Sequence, residues 1–269
     1  MLTFAVLGAT RSVAQALLTI LLESPDNKIQ AYCRSNEGFT KLSPTIASST
    51  QVQVFEGSLQ NTSLLANCLL GTHAAFLAVA EVSNKPGYSI ALQTAHAVVS
   101  ALSLLKKQNP TAHLPKPIVL SSASLDYNLM SSTPKLILNI LYRANSYIYS
   151  DLREAETYLR SSHDLVPSVT FVRPAALSHD KRRGHYVSTR KAEMPLLFLD
   201  LAAGMVDIAG DEEGRWSMKL VAICPRAKDV QFPWEAVWLL LKGLLFTFFR
   251  GRIGFWGDLL ALGLCVFFN

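Results

Sequence analysis

The sequence predicts an α/β protein built as a doubly wound parallel sheet, and three observations carry that expectation. Strand-like apolar runs alternate with helix-period segments five times along the chain. The stretch Leu2 to Leu18, LTFAVLGATRSVAQALL, reads as a strand, a tight glycine turn and a helix. Finally, Gly8, Arg34, Ser58, Ala78 and Ser121 all fall at the carboxyl ends of predicted strands, where ligands bind in sheets of this kind.

The first strand covers Thr3 to Leu7, and Gly8-Ala9-Thr10 turns the chain into a helix that Ser12 is placed to cap. Val13, Ala16, Leu17, Ile20 and Leu21 then recur at spacings of three and four, so one stripe lies on a sheet. A helix starting there aims its free N–H groups and positive dipole end at whatever sits above the turn, which makes it a phosphate site. Gly8, Thr10, Arg11, Ser12 and Val13 are its candidate residues. A dinucleotide turn uses one glycine for the turn, a second for close approach and a third for helix packing. Here Gly8 is kept, Arg11 stands second and Ala14 third. A plain structural turn is the alternative.

Lys28 to Ser35 is the second strand, and Arg34 at its end has no acid beside it. An acid at that place favours NAD through the ribose 2′-hydroxyl, whereas an arginine accommodates the 2′-phosphate of NADP. NADP is therefore the expected cofactor, ahead of NAD, with a solvated loop arginine as the alternative. Val52 to Phe55 is a third strand, and Ser58 beyond it is a candidate for the adenine edge. A short helix, Leu64 to Leu70, leads to a buried fourth strand, His73 to Ala80. Ala78 and Val79 at its end are the candidates on the nicotinamide side, the small Ala78 and Ala80 letting a ribose lie against the backbone.

A long helix from Tyr88 to Lys107 and a proline-punctuated loop precede the fifth strand, Ile118 to Leu120, which ends in Ser121-Ser122-Ala123-Ser124. The helix from about Ser146 to Arg160 buries Ile148, Leu152, Ala155 and Leu159, so Tyr149 and Arg153 stand one turn apart on the adjoining face. Val169 to Val172 is a sixth strand. Asp180 to Lys191 reads as a basic, substrate-side loop, Asp200 to Ile208 as a helix and Lys219 to Ile223 as a last strand.

Composition narrows the class. A chain of 269 residues, 50% hydrophobic and 17% charged, buries a large core. A net charge of +5 without a dense Lys/Arg block or aromatic interleaving argues against nucleic acid. The four cysteines, Cys33, Cys68, Cys224 and Cys265, form neither metal spacing nor a secreted disulfide pattern, and the six histidines hold no HxxxH pair. No metal site is expected, and a reducing, cytoplasmic setting is. The first strand begins at once, which leaves no room for a signal peptide.

GATRSVA after the first strand, VLSS ending the fifth, TFVRPAAL at the sixth and FLDLAAGMVDIA beyond resemble the atypical, NmrA-like short-chain dehydrogenases. The string GRWSMKLVAICPRAKDVQFPWEAVWLLLKGLL more specifically resembles the averufin oxidase A family of fungal polyketide clusters, and the resemblance runs from Leu2 to about Arg250. It implies a Rossmann fold, NAD(P) binding and an oxidoreductase step on an aromatic polyketide of anthraquinone or xanthone type. Two other readings stay open: a dinucleotide-binding regulator without turnover, and a non-redox cyclase or isomerase. In the wider superfamily a tyrosine protonates the carbonyl oxygen, and a lysine four residues later holds the ribose and lowers the phenol pKa. Tyr149 is followed at that spacing by Arg153, whereas alignment on Glu156-Thr157-Tyr158 puts those two positions at Ile148 and Leu152. Ser121 or Ser122 is the candidate to hold the carbonyl oxygen.

The expected division is a dinucleotide-binding domain with its substrate-side loops over 1–230 and an apolar helical tail over 231–269. Trp234 to Phe249 is apolar apart from Glu235 and Lys242, and Phe255 to Phe268 apart from Asp258. Each is shorter than the roughly 20 residues a spanning helix needs. Helices lying in a membrane interface, a docked terminal helix or a homodimer contact are the readings for this tail.

Overall fold

The computed structural model describes residues 1–79 and 84–229. The apolar tail, and with it the expected membrane or dimer contact, lies outside the described residues, as does Ala80.

In chain order the elements are β1 (Thr3–Leu7), α1 (Ser12–Leu22), β2 (Lys28–Cys33), α2 (Asn36–Leu42), α3 (Pro44–Ala47), β3 (Val52–Glu56), α4 (Thr62–Leu69) and β4 (Ala74–Leu77). They continue as α5 (Ile90–Gln108), β5 (Lys116–Leu120), α6 (Lys135–Ala144), α7 (Ser146–Ser161), β6 (Thr170–Val172) and β7 (Leu177–Ser178). The last are β8 (His185–Ser188), β9 (Leu196–Leu197), α8 (Phe198–Ala209) and β10 (Leu220–Pro225).

Eight strands form one sheet in the order β3-β2-β1-β4-β5-β6-β10-β8. The strands from β3 to β10 pair in parallel, and β8 runs antiparallel on the edge of β10, pairing Val187 with Ile223. The doubly wound architecture is as expected, with one correction. Part of the segment read as a basic loop, Asp180 to Lys191, is the strand β8. Its four residues are all half-buried and gain their ladder from a distant strand, so local pattern alone could not show it.

Side-chain alternation along β1 explains the two faces. Phe4 and Val6 pack with Leu17, Leu21, Leu201 and Met205 of α1 and α8, whereas Ala5 and Leu7 pack with Leu65, Val98, Leu102 and Leu159 of α4, α5 and α7. Successive residues of a strand point to opposite faces, so a strand buried on both sides must be apolar throughout. Phe76 and Leu77 of β4 divide between the same two faces.

Caps fix how the helices leave the sheet edge. Ser35 accepts from the Gly38 N–H at 3.0 Å and Asn61 from Leu64 N–H at 3.1 Å. Two further caps reach across the fold. Asp151 of α7 accepts from Ala91 and Leu92 N–H at the start of α5, at 2.8 and 2.9 Å. In return the Asn84 side-chain carbonyl, just before α5, accepts from Tyr147 N–H at 2.9 Å at the start of α7. The helix that carries Tyr149 is thereby locked to the loop ahead of α5.

Candidate functional site

The order of strands reverses direction between β1 and β4, the place where a doubly wound sheet opens a crevice. Gly8 sits there with φ +82°, and a Cβ on it would come within 3.1 Å of the Ala78 carbonyl oxygen and the Val79 Cγ2. Only glycine takes that backbone region without strain, so this turn is built for close approach. Arg11, not Ser12, occupies the cap position of α1, and no side chain of the described residues caps the helix. Ser12 is the first helical residue, which is the correction to its expected capping role. The opening N–H groups of α1 thus keep their hydrogen-bonding capacity for a ligand.

A cleft of about 320 Å³ lies above this turn. Gly8, Thr10, Arg11, Arg34 and Val79 line it, joined by Tyr32, Cys33, Gly57 and Leu59 from the β2 and β3 ends. Tyr88, Ser89 and Gln93 close it from the α5 side. No acidic side chain of the described residues lines it. Tyr32 props the wall at the β3 end, its hydroxyl donating to the Ser58 carbonyl at 2.8 Å. Ser58 itself is exposed, and its neighbours Gly57 and Leu59 are the lining residues. Val13 and Ala78 are buried in the core and are not among the residues that line the cleft.

A second constellation stands at the end of β5. Ser122 and Ser124 meet the buried Tyr149 there: burial pushes the phenol up from its ordinary value, against hydrogen bonds with Ser124, Ser122 and Asn145 that pull it down. Ser121 points elsewhere, its hydroxyl donating to Glu156 Oε1 at 2.6 Å. Arg173, which follows β6, holds the same carboxylate in a fork, Nη2 to Oε2 at 2.5 Å and Nε to Oε1 at 3.1 Å. Its Nη1 reaches Asp126 Oδ2 at 3.4 Å. Arg153 turns its Nη2 to the Leu125 carbonyl at 3.5 Å and lies over the Tyr142 ring at 5.3 Å.

The expected site residues therefore form two groups. Gly8, Thr10, Arg11, Arg34 and Val79 share the cleft, whereas Ser12, Val13, Ser58 and Ala78 are not among its lining residues; Ser122 and Tyr149 meet at the end of β5, with Ser121 and Arg153 engaged in neighbouring contacts. Sequence reasoning missed Glu156, Arg173 and Asp126. One signal was available, since an arginine directly after the buried run Thr170-Phe171-Val172 needs a buried anion. It also missed Tyr88, Gln93 and Asn145.

The glycine turn at the switch point, the uncapped helix and the arginine-lined cleft define a dinucleotide-binding Rossmann protein. The sequence pattern of the family described as NAD(P)H-binding matches residues 8–209, and the chain belongs to that family. Its relatives are fungal oxidoreductases, as the resemblance anticipated. It is 45% identical over 255 residues to oxidoreductase aflX of Aspergillus parasiticus, with 95% of either chain covered. It is 42% identical over 260 residues to oxidoreductase stcQ of Emericella nidulans, covering 95% of this chain and 94% of that one. A short-chain dehydrogenase/reductase of Veillonella parvula, solved in complex with NADP, superposes with a TM-score of 0.63 at 20% identity, covering 85% of this chain and 97% of that one. That likeness is one of fold.

Proposed function

We propose that the protein is an NADP-dependent oxidoreductase that reduces a carbonyl of an aromatic polyketide of anthraquinone or xanthone type. The observation that carries the cofactor choice is the pair Arg11 and Arg34 in a cleft without a described carboxylate. A 2′-phosphate needs cations there, and a bare ribose hydroxyl needs an acid. The residues fit the group: Gly8 leaves bare backbone where a Cβ would intrude, and the start of α1, without a side-chain cap, would hold the pyrophosphate. When bound, NADPH supplies a hydride to the carbonyl carbon. The Tyr149 phenol donates its proton to the carbonyl oxygen, with Ser122 as the second hydrogen-bond donor, and water then restores the phenol proton. A phenol raised by burial stays protonated at neutral pH, which suits a proton donor in the reductive direction.

The test is a titration of the purified protein with NADPH and NADH, followed by transfer from tryptophan fluorescence. Arg34→Ala is expected to weaken NADPH by about tenfold or more and NADH little, since charge-assisted hydrogen bonds contribute roughly 1.5–3 kcal/mol. Equal effects on both cofactors would remove the NADP assignment, and no binding at hundreds of micromolar would remove the dinucleotide. One observation favours a second reading, a dinucleotide-sensing protein without turnover. Arg153 is engaged with Leu125 and Tyr142, leaving no described cation assigned to the Tyr149 phenol. Saturable NADPH binding with unchanged metabolites on gene deletion would select it.

A further inference from the structure

A cavity larger than the dinucleotide cleft lies elsewhere among the described residues. About 880 Å³ opens between the start of α6, the segment before β9 and the end of β10, a volume in the range that buries a drug-sized ligand. None of its lining residues lines the dinucleotide cleft. Both lie at the carboxyl edge of the parallel strands, and the end of β5, with Ser122 and Ser124, stands between them. From β5 to β10 is two strand spacings, roughly 10 Å, a distance that a fused polycycle spans. The wall between is continuous. Ala123, set between the two serines, belongs to the same buried cluster as Met130, Leu138, Ala192 and Cys224, with Tyr186 packed against it.

The lining is amphiphilic in a particular way. Pro134, Ile137, Met194 and Pro195 supply apolar surface, and Ile137 and Met194 are 47% and 40% exposed. Against them stand three cations, Lys191, Arg226 and Lys228, and one described carboxylate, Glu193. Glu193 is already taken by Lys191, and that contact, with a hydrogen bond from Tyr186, holds its carboxyl below the usual range. Arg226 donates Nε to the His185 carbonyl at 2.8 Å, which fixes the guanidinium in the lining of the space. A flat apolar body with acidic hydroxyl or carboxylate groups at its rim matches such a wall.

We propose that this cavity is the seat of the aromatic substrate, taking a planar polyphenol with its rings on Ile137 and Met194 and an ionised phenol toward Lys228 and Arg226. This rests on the oxidoreductase reading above and adds to it the place and the charge state of the substrate. The probe is emodin, a trihydroxyanthraquinone, titrated into the full chain by quenching of intrinsic fluorescence and by the red shift of its visible band on phenol ionisation. Saturable binding with a red shift is expected, weakened about tenfold or more by Ile137→Trp, which fills the space, and by Lys228→Glu, which reverses the charge. The NADPH affinity of both variants is expected to stay within roughly twofold of the parent, which also reports that they are folded.

Affinity for emodin within roughly threefold of the parent in Ile137→Trp, absence of saturable binding in the parent, or abolition of binding by saturating NADPH would each overturn the proposal. Failure of NADPH to bind the parent is a separate result: it removes the dinucleotide reading and leaves the location of emodin to be decided by the two variants.

Discussion

Glu156→Gln is the most informative substitution near the site because one carboxylate joins three elements. Glu156 on α7 accepts from Ser121 at the end of β5 and takes both arms of Arg173 after β6, and Arg173 also reaches Asp126. Both members of the pair are 6% exposed, so solvent does little to screen them. Removing one partner of a buried pair costs about 3–5 kcal/mol, chiefly because the other charge is left uncompensated. Glutamine preserves the shape and one acceptor, but turns an N–H group toward the guanidinium, and Asp126 at 3.4 Å compensates only in part. The expected cost is therefore near the lower end, about 3 kcal/mol, against a total stability on the order of 5–15 kcal/mol. For a chain of this size that is a fall of roughly 6–12 °C in the thermal midpoint, read by calorimetry. Turnover is expected to fall as well, since Tyr149 lies seven residues earlier on the same face of α7 and Ser122 adjoins Ser121. Glu156→Asp, which keeps the charge, should recover part of both losses. A midpoint within a degree or so of the parent would show that the network bears no stability, and full turnover in the destabilised variant would show that it does not position Ser122 and Tyr149.

Two further predictions concern titration. Tyr149→Phe is expected to reduce turnover by about 10²–10⁴-fold, the usual contribution of a positioned proton donor, with NADPH affinity unchanged. In the parent the rate should stay flat through the neutral range up to the ordinary tyrosine value of 10.0, because burial raises this phenol; a decline well below that pH would refute its role as donor. Asp151 is the opposite kind of probe. Burial raises its carboxyl from 3.8, against the two N–H groups it caps and despite them, so the folded chain holds that proton more tightly than the unfolded one. Its contribution is full below 3.8 and is lost as pH rises through the raised value. Urea midpoints of the parent relative to Asp151→Asn should therefore decline as pH rises from 3.8, and a relative rise would reverse the assigned cause.

Much of this fold is legible because its signals are local. The run Thr3 to Leu7, Gly8 with its positive φ and the apolar stripe of α1 all lie within one short stretch, so pattern, turn and packing agree there. The ends of β2 and β5 follow from apolar runs that stop at polar residues. What escaped is nonlocal. Glu156 and Arg173 are seventeen positions apart, and a Glu on an amphipathic helix reads as solvated until the partner strand is placed. The exchange of caps between Asn84 and Asp151 joins residues whose partners are some sixty positions away. β8 is too short to announce itself and exists because β10 has a free edge. The Tyr149 and Arg153 spacing could be read from sequence, but not that Tyr142 and the Leu125 carbonyl draw the arginine aside.

Arg11 is the departure that most invites the view that the phosphate turn has lost its purpose, and its backbone argues otherwise. The second glycine of a dinucleotide turn serves close approach, yet Arg11 has φ −94° and ψ 151°, an extended conformation open to any residue. Its N–H donates to the Gly8 carbonyl at 2.8 Å, which closes the turn without help from the side chain. Arginine is therefore tolerated at no conformational cost, while the position that requires glycine, Gly8, has kept it. The side chain lines the cleft together with Arg34 and adds a second cation where the proposed NADP would carry its phosphates. Restoring the usual residue by Arg11→Gly should then weaken NADPH by about tenfold and flatten the salt dependence of its binding, because a phosphate contact is lost. If the glycine variant instead binds NADPH more tightly than the parent, the arginine obstructs the pyrophosphate, and the turn is one drifting away from its cofactor.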